Sequence, residues 1–96
     1  MPKDSRYTLG IKIDRALLET VELLFSASYV KKELKLPYLE KATNRLDLAK
    51  FFLQILWEIK AIDQKKYIAL SEKLNELGKM IGGWSRQAAK AKENPA

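Results

Sequence analysis

Eighteen lysines and arginines stand against twelve acids in this chain, which has neither histidine nor cysteine. A net charge of +6 over 96 residues attracts polyanions, nucleic acid first among them. The absent types are the commonest nucleophiles, metal ligands and neutral-pH acid/base groups. The carboxylates form no catalytic pair: Asp14, Glu22, Asp47 and Glu58 stand at helical positions where charge pairing over one turn accounts for them. No glycine-rich phosphate loop, nucleophile elbow or metal-ligand spacing occurs. These residues describe a binder and not an enzyme, with no metal and no cofactor expected.

The basic residues fall into groups. Lys41 and Arg45 are one turn apart and continue, at seven-residue spacing, into Leu48 and Phe52. A single helix face is thus basic at one end and apolar at the other. It suits an anionic partner, or long side chains whose stems cover the end of a bundle. Lys31 and Lys32, with Lys35, cluster around Glu33 in a loop. Lys65 and Lys66 open a helix, where the macrodipole disfavours positive charge. Lys50 shares a narrow polar stripe with Asp47, Gln54 and Glu58. Lys31, Lys32, Lys41, Arg45, Lys50, Lys65 and Lys66 are therefore the candidate nucleic-acid contacts. Glu72, Glu76 and Lys79 read as a solvated, mixed-charge surface. Arg86, Lys90 and Lys92 are placed to add non-specific phosphate contacts. No exposed aromatic platform for base stacking is evident, so binding is expected to be largely independent of base sequence.

Helices must position these groups. From Pro2 and Asp4 to about Lys32, Ile13, Leu17, Val21, Leu24 and Ser28 form one stripe, and Ile11, Leu18 and Phe25 a second beside it. Pro37 marks a break, so a second helix is expected from about Tyr38 to Ala61. Asp63 is a candidate N-cap for a third, with Tyr67, Leu70, Leu74, Leu77 and Ile81 on one face. Gly82-Gly83 is expected to end that helix, with Trp84 folding back as the apolar residue of the cap. Residues 1–84 would then form one antiparallel, all-α bundle domain, and 85–96 a basic, flexible tail.

The second helix carries the widest apolar surface. Phe51, Phe52, Leu53, Ile55, Leu56, Trp57 and Ile59 span an arc of roughly 240° at 100° per residue. Such a helix lies at the centre of a bundle, or lends part of its face to another subunit or helix. The longest apolar stretch is far short of a membrane span, and the amino terminus has no signal-peptide pattern. A soluble, cytoplasmic protein without membrane contact is expected.

Three motifs in order resemble one family. Pro2-Lys3 and Arg6-Tyr7-Thr8-Leu9-Gly10 open the first helix; Tyr67 and Leu77-Gly78-Lys79-Met80-Ile81 follow late; Gly82-Gly83-Trp84 closes. Together they resemble the accessory variability determinant (Avd) proteins of bacterial diversity-generating retroelements, relatives of the four-helix 23S rRNA intervening-sequence proteins. Gly78, Gly82, Gly83 and Trp84 carry the most specific part. The resemblance implies a barrel-like homopentamer of helical bundles. It also implies partners: the retroelement's reverse transcriptase and its template RNA or cDNA, in support of mutagenic copying. The alternative within the same class is a structural intervening-sequence-type protein with no specific nucleic-acid role. Family members carry two basic residues four apart in the middle helix; Lys50 fits the first position and Gln54 departs at the second. They also carry an amphipathic helix before the segment that here begins at Pro2. Its absence would leave an apolar face without a neighbour.

Overall fold

The computed structural model describes the backbone of residues 3–93 and side-chain surroundings for 7–90. Pro2, expected at the first helix start, and the last three residues of the tail lie outside the described residues. Three helices account for most of the described residues: α1 (Lys3–Ala27), α2 (Lys35–Glu58) and α3 (Gln64–Glu93), with a 3₁₀ turn at Lys32–Leu34. The described residues contain no strand. The antiparallel, all-α expectation holds.

The helix limits follow from local chemistry. Asp63 caps α3 as expected, its Oδ1 accepting the Lys66 N–H at 2.7 Å. Pro37 does not exclude helix: α2 begins at Lys35 and takes the proline into its first turn, where no N–H is missed. The end of α2 is a Schellman motif: Ala61 N–H bonds Leu56 C=O and Lys60 N–H bonds Trp57 C=O. Lys60 holds the left-handed position at φ 61°, which normally belongs to glycine. The third helix corrects the sequence reading. Gly82-Gly83 does not end it, no glycine has positive φ, and the helix runs on to Glu93 through most of the expected tail. Without a left-handed residue there is nothing to turn the chain, and the glycines are ordinary interior positions.

α1 and α3 both pack on α2 but make at most marginal contact with each other, among the described residues. The molecule is accordingly a thin layer, 57 × 20 × 14 Å. α2 supplies the shared core through Leu39, Ala42, Leu46, Ala49, Leu53 and Leu56, all buried. Leu74, Ile81 and Ala88 reach it from α3, and Ala16, Thr20 and Ala27 are buried on α1. Thr20 is fully enclosed, its hydroxyl satisfied by donation to Ala16 C=O at 2.8 Å.

The two stripes of α1 part company. Ile13, Leu17 and Leu24 pack on the core, whereas Ile11, Leu18 and Phe25 point outward with Tyr7 and Val21. Leu18 is 60% and Phe25 62% exposed. The surplus apolar face expected on the second helix is thus mostly on α1. As the middle helix, α2 has its wide arc largely covered from both sides, leaving Phe51 and Trp57 exposed.

Candidate nucleic-acid interface

Two clefts run beside α2, and three of the candidate cations, Lys41, Arg45 and Lys50, divide between them. On the α1 side, Lys41 and Arg45 share a groove with Glu19 and Glu22. Arg45 Nη1 reaches Glu19 Oε2 at 3.6 Å, the single ion pair among the described residues. Toward the other end of this flank, Lys12 and Arg15 line a groove with Leu48 and Phe52, and Lys12 Nζ lies 5.7 Å from the Phe52 ring centroid. The basic-then-apolar face of Lys41, Arg45, Leu48 and Phe52 therefore runs along α1, with its cations partly engaged.

On the α3 side, Lys50 meets two cations that periodicity assigns to other surfaces. Lys50, Lys79 and Arg86 line one groove of 490 Å³, with Asp47 its acid. The glycines of α3 form its floor. A methyl group on Gly78 would lie 3.3 Å from Lys50 Nζ, and one on Gly82 would lie 3.8 Å from Arg86 Nη1. The same cleft continues past Lys50 to Phe51, Gln54 and Tyr67. Gln54 donates from Nε2 to Glu58 Oε1 at 2.9 Å, a neutral side chain tying down an acid. Phe51 is 56% exposed here, so the cleft has the aromatic surface that the sequence does not reveal.

The remaining candidates lie apart. Lys65 and Lys66 are exposed in the first turn of α3. Lys31 and Lys32 are exposed at the opposite end, where Lys32 and Lys35 edge a 240 Å³ cavity with Leu24, Leu39 and Trp84. Trp84 is inside the helix, 41% exposed, and lines this cavity instead of closing a cap. Gly10 has no atom within 4 Å of where a Cβ would sit, so close backbone approach does not explain it.

Lys50 and Arg86 are legible as candidate contacts, but their convergence with Lys79 is not, because Lys50 is far in sequence from the other two. Only the register of α3 on α2 unites them. Among the described residues no cluster of three or more His, Cys, Asp or Glu side chains is placed to hold a metal, and no helix is long and apolar enough to cross a membrane.

A family model described as bAvd-like matches residues 1–88. No curated protein and no solved structure matches the chain.

Proposed function

Because the chain belongs to the bAvd-like family, that of the accessory variability determinant proteins, we propose that it is a non-enzymatic accessory factor of a diversity-generating retroelement. In this reading it binds the retroelement's reverse transcriptase and its template RNA or cDNA, and supports mutagenic copying from the cytoplasm. The family match over nearly the whole chain carries the proposal. The charge of +6 and the absence of histidine and cysteine agree with a polyanion binder. Lys31, Lys32, Lys41, Arg45, Lys50, Lys65 and Lys66 are the proposed contacts to nucleic acid. The outward stripe of Tyr7, Ile11, Leu18, Val21 and Phe25 on α1 is the proposed face for multimer formation, a homopentamer by family likeness.

The test joins two measurements. Anisotropy titration with template RNA should give an affinity that falls steeply from about 50 to 200 mM salt. Affinity capture of the retroelement's reverse transcriptase should retain this protein. Undetectable or salt-insensitive RNA binding together with no retention would defeat the proposal.

A further inference from the structure

The cleft between α2 and α3 is continuous from Tyr67 to Arg86, about 28 Å along α3 at 1.5 Å per residue. Lys79 and Arg86 are separated by two turns, about 10 Å. Lys50 faces Gly78 from the opposite wall, beside Lys79. Its ammonium lies over the bare backbone at Gly78, where a methyl group would stand 3.3 Å away and press it to shift. The Arg86 guanidinium lies over Gly82 and Gly83 more loosely, 3.8 and 3.9 Å from where a methyl group would stand. Among the described residues none of the three makes an ion pair, although Asp47 shares the groove. Lys50 is half-buried while Lys79 and Arg86 are exposed along the same groove, so the charge is presented to a backbone lying along it.

Phe51 supplies the second requirement. Its ring is more than half exposed, adjoins Lys50 and lines the same cleft. Phe52 braces it, with ring centroids 5.9 Å apart and planes tilted 48°. An exposed aromatic beside a track of cations is how single strands are held without sequence preference, since an unstacked base offers its face and a paired base does not.

Resting on the reading above, we propose that the α2–α3 cleft is a single-strand track: Lys50, Lys79 and Arg86 take successive phosphates and Phe51 stacks one base. The glycines at 78 and 82 keep the floor open. The family's nucleic-acid role thereby acquires a strand preference and a site.

The test is anisotropy titration of the full chain with a fluorescein-labelled oligo-uridine strand and with a blunt RNA duplex of the same length. Wild type should bind the single strand more tightly. Reversing Lys50→Glu with Arg86→Glu should weaken single-strand binding at least about tenfold. The matched reversal Lys12→Glu with Arg15→Glu, on the other cleft, should weaken it no more than about threefold. Phe51→Ala should weaken the single strand at least about fivefold and leave the duplex unchanged, with circular dichroism confirming fold in each variant. Equal losses from the two reversals would overturn the assignment to this cleft while leaving nucleic-acid binding standing. Equal loss of single strand and duplex in Phe51→Ala would overturn the strand preference. Absence of binding by wild type would instead overturn the functional proposal on which the track rests.

Discussion

Along one flank of α2, Lys12, Arg15, Lys41 and Arg45 face Glu19 and Glu22; along the other, Lys50, Lys79 and Arg86 face only Asp47. Both flanks are positive by the same margin, but their cations are engaged differently. Arg45 is paired with Glu19 and Lys12 covers an aromatic ring, so part of that charge is already partnered within the protein. On the α3 flank Lys50 and Arg86 lie on glycine backbone and the neighbouring aromatic is open to solvent. Net charge sets whether a polyanion approaches. Which side chains lack an internal partner sets where it stops.

The comparison can be broken at several depths. The largest effect belongs to the core beneath the α3 cleft: Leu46→Ala should cost about 2–5 kcal/mol in urea unfolding, because the side chain is 1% exposed within the core cluster. A loss under about 1 kcal/mol would mean that α2 is not the shared core. Next come the glycines. Gly10→Ala should stabilise by about 0.5–1 kcal/mol, since nothing stands where the methyl would go. Gly78→Ala should gain less, because Lys50 must shift, and it should also weaken oligo-uridine binding. Equal gains and unchanged binding would show that Lys50 does not depend on the bare floor.

Lys60→Gly tests the α2 terminus. Relief of a left-handed lysine should raise stability by about 1 kcal/mol, measured as an increase in Tm. The smallest effect is expected at the ion pair. Glu19→Gln should change stability by less than about 1 kcal/mol, since both side chains are well exposed, at 39% and 41%. A larger loss would make the α1 flank a structural lock and not a screened surface pair.

Much of this arrangement is legible from the sequence. The wide apolar arc from Phe51 to Ile59 identifies the helix that must sit in the middle, and Asp63 announces the start of α3 through its capping chemistry. The glycine pair misleads, because a glycine can mark either a helix end or a place where another group lies close. Only backbone angles tell these apart. Pro37 misleads for a similar reason, since a proline two residues into a helix costs nothing. The α3 cleft is hidden for a different one. Its cations belong to separate helices, and periodicity within one helix carries no register between two. Phe51 sits in an arc wide enough that some of it has to stay outside the bundle, but which residue stays exposed follows from α1 and α3 leaving that side of α2 uncovered.

Whether the α3-flank cations touch phosphates is the central question, and the salt dependence of binding answers it most directly. Oligo-uridine affinity measured against salt, for wild type and for Lys50→Gln with Arg86→Gln, should give a log–log slope shallower by about 1.4 in the variant, or about 0.7 for each phosphate no longer neutralised. Parallel slopes would contradict the single-strand track.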